Sequence, residues 1–244
     1  MLWVLFVGQV AASEPPPSVA EAVSLVERCK APGQCDVPCW GDAERRTEPG
    51  PDGALQAICM AGDSAHGPVV AWYPNGSPLG VGYSLNGQPH GGAVSWHANG
   101  KRASESFWIN GAHEGMLRTW HSNGQLESQG EWKDNRQQGM VRFWYPSGQL
   151  DEASRWVDGV PDGPMFSWHE NGKLRAKARF KMGDRIGAWR VWYPTGKRSV
   201  AVRYRSGEPK HLRCWDPDGK QMICPDGVTQ VSRSAAHSAD LNAR

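Results

Sequence analysis

Apolar and polar side chains alternate over short segments of the chain. In one segment the even positions are small or apolar and the odd positions are polar: Leu126, Ser128, Gly130 and Trp132 against Gln125, Glu127, Gln129 and Glu131. A second segment repeats the pattern with Leu174, Ala176, Ala178 and Phe180 against Lys173, Arg175, Lys177 and Arg179. Because a period of two is typical of β-strands, we predict strands whose even face is buried and whose odd face meets water.

The predicted strands recur at a fixed interval. The stretch "WYPNG" at residues 72–76 returns as "WHANG", "WHSNG", "WYPSG", "WHENG", "WYPTG" and "WDPDG", in five steps of 24 residues and one of 23. Its tryptophans are Trp72, Trp96, Trp120, Trp144, Trp168, Trp192 and Trp215, and its glycines are Gly76, Gly100, Gly124, Gly148, Gly172, Gly196 and Gly219. A second aromatic series with the same period contains Trp108, Trp132 and Trp156. These shared periods indicate an internal repeat. Large rings at a fixed period, opposite small residues, favour a structural interpretation over a ligand-stacking one.

Each repeat is predicted to be a β-hairpin with two kinds of turn. Because proline cannot adopt a positive φ, we predict that "WYPNG" forms a type I turn in which Gly76 takes the left-handed conformation. Consecutive hairpins are joined by pairs such as Asn86-Gly87, which supply the positive φ of a tight turn. Asn135 stands at the one place where the second glycine of such a pair is missing.

Stacked hairpins predict an all-β fold, an elongated single-layer antiparallel sheet of about seven 24-residue repeats. The array is expected to span residues 62–224. Residues 13–61 are predicted to form a linker and a small cysteine-rich cap, with a short helix around residues 19–29 and a strand near residues 55–60. Residues 225–244 are polar and are predicted to be a disordered tail.

The repeat resembles the MORN repeat, and is closest to the bacterial variant form. The likeness rests on the glycine before each first strand, the Trp-Tyr or Trp-His pair, the x-Asn-Gly turn, the second aromatic residue and the closing Asn-Gly or Asp-Gly. It covers about residues 62–222. The resemblance implies a scaffold with roles in phospholipid contact or protein attachment, and some relatives of the variant form are antitoxin-like. The cysteines, the high tryptophan content and the start of the chain depart from the family pattern.

The first residues suggest export. The apolar run of residues 2–7 ends near Val10-Ala11-Ala12, small residues that suit signal-peptidase cleavage, so residues 1–12 are predicted to be a signal peptide. No basic residue precedes the run, which leaves open whether Met1 is the natural start. The run is too short to cross a membrane, and no later segment is apolar enough to do so. We expect a periplasmic or extracellular bacterial protein, or a cytoplasmic one if the run is not a signal.

The six cysteines lie at the two flanks of the array: Cys29, Cys35, Cys39, Cys59, Cys214 and Cys224. An even number in an exported chain indicates disulfides, and we predict only the pairing of Cys214 with Cys224. Six cysteines allow 15 pairings, so the others stay open.

Charge is distributed unevenly along the chain. Residues 170–213 contain 13 Lys or Arg against three acidic residues, a net +10, and because the whole chain carries +2 the remainder carries −8. The basic side chains that we predict to form one binding face are Lys173, Arg175, Lys177, Arg179, Lys197 and Arg203. Such a face suits an acidic protein or an anionic lipid head group. Predicted export disfavours nucleic acid.

The sequence offers no catalytic or metal-binding constellation. No nucleophile elbow, phosphate loop or H-E-x-x-H helix is present, and acidic residues such as Asp151 and Glu152 are expected to face solvent. His97, His121 and His169 each follow a repeat tryptophan. Equivalent residues of successive hairpins are about 9–10 Å apart, whereas zinc ligands converge within about 2 Å of the metal. We therefore expect neither an enzyme nor a metal or cofactor site.

The sequence predicts a non-catalytic exported scaffold that binds a protein partner or an anionic surface through its basic C-terminal repeats. The alternative is an antitoxin-like or immunity-like protein that neutralises a toxin. A third hypothesis, of lower weight, is carbohydrate binding through exposed tryptophans. The partner's identity and the oligomeric state cannot be read from the sequence.

Overall fold

A computed structural model describes residues 15–31 and 34–228 of the chain. The chain divides into an N-terminal unit, Met1–Arg136, and a C-terminal unit, Gln137–Arg244. Within the described residues each unit contains an antiparallel sheet built from hairpins. The predicted signal peptide and most of the predicted tail lie outside the described residues.

The described part of the N-terminal unit contains one α-helix, a short 3-10 helix (Pro51–Gly53) and ten strands. Their bounds are α1 (Val19–Arg28), β1 (Glu44–Pro49), β2 (Leu55–Ala61), β3 (Ser64–Trp72), β4 (Pro78–Leu85), β5 (Gln88–Pro89), β6 (Gly91–Trp96), β7 (Arg102–Ile109), β8 (Ala112–His113), β9 (Gly115–Trp120) and β10 (Leu126–Lys133). The helix and the β2 strand of the cap fall where the sequence predicted them.

The described part of the C-terminal unit contains nine strands and no helix. They are β11 (Arg136–Trp144), β12 (Leu150–Val157), β13 (Val160–Trp168), β14 (Leu174–Lys181), β15 (Asp184–Arg185), β16 (Gly187–Trp192), β17 (Arg198–Arg205), β18 (Glu208–Trp215) and β19 (Gln221–Met222). β11 begins one residue before the division between the units.

The turns have the predicted geometry. Gly76 has φ +83°, and its N–H donates a hydrogen bond of 2.8 Å to the carbonyl oxygen of Tyr73, which closes a type I turn with a left-handed glycine. The connections between hairpins are equally clear: Asn86 and Gly87 have φ values of 51° and 81°. Asn135 also adopts a positive φ, 63°, in the place of the missing glycine. An amide side chain tolerates this conformation better than most, which explains the substitution.

The two faces of the sheet differ. We define the tryptophan face as the one that carries the repeat tryptophans. In the N-terminal unit its middle row contains Val70, Val81 and Val94, which lie opposite one another on adjacent strands. The other face, here the small-residue face, carries residues such as Gly82 and Ala93. The predicted alternation is confirmed on β10 and β14, where Ser128 and Ala178 are buried while Glu127 and Lys177 are exposed.

Helix α1 covers the tryptophan face of the N-terminal unit. A reciprocal capping box between Ser18 and Glu21 begins the helix. Its buried residues Ala22 and Leu25 pack in one core with Val70, Val81 and Val94, and Trp72 is fully buried in that core. The equivalent tryptophans of both units from Trp96 onwards are only partly buried. The helix therefore decides which repeat tryptophan becomes core.

A glycine permits this close approach. The N–H of Gly92 on β6 donates a hydrogen bond of 2.6 Å to the carbonyl oxygen of Pro17, just before the helix. A Cβ atom at Gly92 would overlap the backbone of Ser18 and Val19. The chain can therefore enter α1 directly against the sheet only because this position has no side chain.

Three disulfides are present. Cys214 and Cys224 are bonded, as predicted, and the pairings left open are Cys29 with Cys35 and Cys39 with Cys59. The cap also contains a strand that the sequence analysis did not predict, β1, which pairs with β2. Its sequence, ERRTEP, lacks an apolar face, and its side chains are nearly all exposed. Pairing by main-chain hydrogen bonds needs no such pattern, so the alternation rule could not detect it.

Candidate cationic binding face

Three of the six predicted basic residues lie together on the tryptophan face of the C-terminal unit. Lys177 and Arg179 are exposed on β14, and Arg203 is exposed on β17. Their neighbours Ala178 and Val202 are buried and point to the small-residue face. Because side chains alternate along a strand, the three cations point to the tryptophan face.

The structure adds two residues to this group. Lys177 lies opposite Arg190 of β16, and Arg190 lies opposite Ala201, which in turn lies opposite Arg213 of β18. Cross-strand partners share one face of a sheet. Arg190 and Arg213 are therefore on the tryptophan face, and both are exposed. Neither residue belongs to the basic face predicted from the sequence, because the neighbour across a strand depends on register.

We define the cationic face as Lys177, Arg179, Arg190, Arg203 and Arg213. None of these five side chains makes a hydrogen bond or ion pair with another residue in the described part of the chain. Carboxylates of this unit are engaged elsewhere: Asp162 with Lys181 at 3.0 Å and Glu208 with Lys210 at 2.8 Å. The hydrogen bond from Lys181 lowers the pKa of the Asp162 carboxyl. The charge of the cationic face is thus not neutralised within the unit.

Aromatic rings lie among the cations. Phe166 is the cross-strand neighbour of Lys177, whose Nζ lies 5.3 Å from the ring centroid. The Phe166 ring stacks on Trp168 with 6.1 Å between centroids. Trp192, two residues from Arg190 on the same strand, is also only partly buried. The face therefore offers apolar area as well as positive charge.

Lys173 and Lys197 serve the turns instead. The Nζ of Lys173 donates a hydrogen bond of 2.8 Å to the carbonyl oxygen of Thr195, and that of Lys197 donates one of 2.9 Å to Asp218. Lys101 of the N-terminal unit binds the carbonyl oxygen of Asn123 in the same way, at 2.6 Å. Each lysine follows a turn glycine and fastens its turn to the next one.

Arg175 is neutralised within its own surroundings. Its Nη2 lies 2.9 Å from Oδ1 of Asp151, an ion pair without the directionality of a hydrogen bond. Its Nη1 and Nε donate hydrogen bonds to the hydroxyls of Tyr145, at 3.2 Å, and Ser167, at 3.3 Å. Arg175 is therefore a structural residue here, although its sequence position resembles that of Lys177.

The expected exposure of Asp151 and Glu152 is wrong. Glu152 is only 5% exposed, and the side chain of Asp151 is 16% exposed. Desolvation raises the pKa of Glu152 to about 7, although the Ser154 hydroxyl donates a hydrogen bond of 3.3 Å to its carboxyl. Glu152 lies 24 residues after Ser128, which is also buried. An acidic residue therefore occupies this repeat position on the small-residue face.

The histidines that follow repeat tryptophans bind main-chain groups. The Nε2 atoms of His97 and His169 lie 2.7 and 2.8 Å from the carbonyl oxygens of Trp120 and Trp192. Since a carbonyl oxygen only accepts, these Nε2 atoms must carry the proton. No group of three potential metal-binding side chains occurs among the described residues.

A shallow groove lies in the sheet of the N-terminal unit. Its volume is about 320 Å³, and its lining includes Val69, Gly82, Ala93 and Trp108. No Asp, Glu, Lys, Arg, His or Cys side chain lines it. The side-chain hydroxyls in its lining are those of Tyr83 and Ser84.

Comparison with known proteins identifies the repeat in both units. A family model described as the MORN repeat variant matches residues 114–134 and 161–182. No curated protein matches the chain. The second matched segment includes Phe166, Lys177 and Arg179. Among the described residues, no helix has the length and apolar character needed to cross a membrane.

Proposed function

Because the chain contains repeats of the MORN variant, we propose that it is a non-catalytic scaffold whose C-terminal unit holds an acidic partner on the cationic face. Repeats of this family are typically non-catalytic and commonly bind proteins or membranes. Stacked hairpins suit such a role because their rigid main-chain pairing presents side chains at regular intervals.

The observation that carries the proposal is the uncompensated charge of the cationic face. A cation paired within its own protein gains little from a new partner, whereas an unpaired one gains attraction over about 8–10 Å at physiological salt. In the N-terminal unit the equivalent residue Arg118 has Glu105 at 3.5 Å, and Arg102 also pairs with Glu105. The contrast favours the C-terminal unit as the binding unit.

We further propose that the protein is exported to the periplasm or the extracellular space. The three disulfides support this location, because disulfides persist in oxidising compartments. If the acidic partner is a toxin, the chain is an immunity protein, the role of antitoxin-like relatives of this repeat.

Binding to poly-L-glutamate tests the scaffold proposal. We expect salt-sensitive binding at low ionic strength that is lost when Lys177, Arg179, Arg190 and Arg203 are changed together to Gln. The matched control changes four exposed cations elsewhere, Lys30, Arg46, Lys133 and Lys220, to Gln. Both variants remove four positive charges, so equal losses of affinity would show that only net charge matters and would refute the proposal.

A further inference from the structure

Helix α1 shows which kind of structure the tryptophan face receives. The helix lies across β3, β4 and β6 and buries Ala22 and Leu25 against the valine row of Val70, Val81 and Val94. Trp72 is 0% exposed beneath it. The face of these repeats is thus shaped to accept the apolar stripe of an amphipathic helix.

The C-terminal unit presents the same row without such a cover in its described residues. Cross-strand register defines the row as Arg142, Ala153, Phe166, Lys177, Arg190, Ala201 and Arg213. Val70 and Val94 lie two residues before their repeat tryptophans, and Phe166 and Arg190 hold the same place before Trp168 and Trp192. The row keeps its geometry but changes from valine to a mixture of apolar and cationic residues.

The composition of the row specifies its occupant. Phe166, Ala201 and the partly buried Trp168 and Trp192 would contact an apolar stripe on the occupant. Lys177, Arg179, Arg190, Arg203 and Arg213 would face carboxylates that flank the stripe. A helix with apolar residues at spacings of three and four, and with Asp or Glu beside them, satisfies both conditions.

We propose that an acidic amphipathic helix of a partner protein docks on the tryptophan face of the C-terminal unit, as α1 does in the N-terminal unit. This inference rests on the proposed function and specifies its partner. A lipid surface would share the charge preference, but the helix seated on the equivalent residues of the N-terminal unit favours a helical occupant.

The test uses the full chain and two synthetic peptides of 18 residues. One peptide has leucines at spacings of three and four with flanking glutamates, and the other contains the same residues in an order without that periodicity. We expect the amphipathic peptide to bind about tenfold more tightly than the scrambled one, and to gain helical circular dichroism when bound.

Ala201→Trp locates the site. Ala201 lies between Arg190 and Arg213 in the row, so a large ring there blocks a seated helix while every cation is retained. Affinity for the amphipathic peptide should fall to that of the scrambled peptide. Circular dichroism and thermal unfolding of the variant check that it folds, and Ala201→Ser, which adds little volume, should bind as the unsubstituted chain does.

The outcomes separate the two proposals. Equal binding of both peptides would refute the proposal of a docked helix and leave the scaffold proposal standing. If neither peptide nor polyglutamate binds, both the helix proposal and the scaffold proposal are refuted. Vesicles of phosphatidylglycerol and phosphatidylcholine provide the third probe: tighter binding to vesicles than to the amphipathic peptide, unaffected by Ala201→Trp, would identify a lipid surface and overturn the helix.

Discussion

The hydroxyl of Tyr73 donates a hydrogen bond of 2.8 Å to the main-chain carbonyl oxygen of Trp96 in the following repeat. Tyr145 and Tyr193 make the same bond to Trp168 and Trp215, at 3.0 and 2.8 Å. In other repeats a histidine takes the place of the tyrosine. The tyrosine or histidine that follows a repeat tryptophan therefore links one hairpin to the next, which explains why either residue occurs at this position.

Substitution of His97 tests this link. His97→Phe leaves the carbonyl oxygen of Trp120 without its donor and should lower the free energy of unfolding by about 1–2 kcal/mol. His97→Tyr, which supplies the hydroxyl found at Tyr73, should cost less than half as much. Urea denaturation of the two variants measures the difference, and equal losses would show that ring packing rather than the hydrogen bond matters.

Because Glu152 is buried, we predict that the free energy of unfolding falls as the pH rises. Its folded-state pKa of about 7 lies above the ordinary value of 4.5, so the folded protein retains a proton that the unfolded chain has released. The destabilisation that results is absent below pH 4.5, grows as the pH rises to 7 and is complete above pH 7. Glu152→Gln should therefore raise the free energy of unfolding by roughly 1–3 kcal/mol at pH 8 and change it little at pH 4.

The matched control for Glu152 is Glu131→Gln. Glu131 is exposed on β10, so its substitution should leave the pH dependence unchanged. Urea denaturation at several pH values follows both variants. A stabilisation by Glu152→Gln that does not depend on pH would contradict the titration of the buried carboxyl.

His113 predicts the opposite pH dependence. Burial lowers its pKa from 6.5 to about 4, and its ring lies 3.4 Å from that of Trp108 between centroids. The unfolded chain binds the proton first as the pH falls, so stability is complete above pH 6.5 and decreases down to pH 4. His113→Gln, which places the residue found at position 137 here, should abolish this loss. The measurement is the midpoint of urea denaturation from pH 7 to pH 4. If the variant loses as much stability on acidification as the unsubstituted chain, the role of His113 is refuted.

We predict that a side chain at position 92 disturbs the packing of α1 on the sheet. Gly92→Ala should displace α1, because the added methyl group overlaps the backbone of Ser18 and Val19. Amide hydrogen exchange in residues 19–28 should then accelerate at least about tenfold. Gly80→Ala on β4 is the control, since its Cβ would meet the carbonyl oxygen of Val94 at an ordinary 3.5 Å. Equal exchange in both variants would show that the close approach is not needed.

The disulfide between Cys39 and Cys59 should contribute substantially to stability. It closes a segment with a sequence separation of 20 residues, and Cys59 is 1% exposed. Replacing both cysteines by alanine should lower the free energy of unfolding by about 3 kcal/mol, mainly because the unfolded chain gains freedom. Urea denaturation of the double variant without reductant measures the loss. An unchanged midpoint would contradict this role.

The sequence determined the repeat and its turns, because these depend on neighbouring residues. The left-handed backbone conformation at position 76 favours glycine whatever residues surround it. Asn135 was predictable as a replacement for glycine for the same reason, because it also has a positive φ. Alternation likewise predicted that Ser128 is buried and Glu127 exposed. Each of these depends on backbone conformation or on a period of two.

Only the tertiary structure decided which charges are available. Lys173 and Lys177 have the same parity, yet the first binds the carbonyl oxygen of Thr195 and the second faces water. The pairing of Lys177 with Arg190 depends on strand register, and the burial of Trp72 depends on a helix that begins at Val19. The alternation assigns a side chain to a face, but its partners come from strands and helices distant in the chain, and those partners determine its charge, burial and freedom to bind.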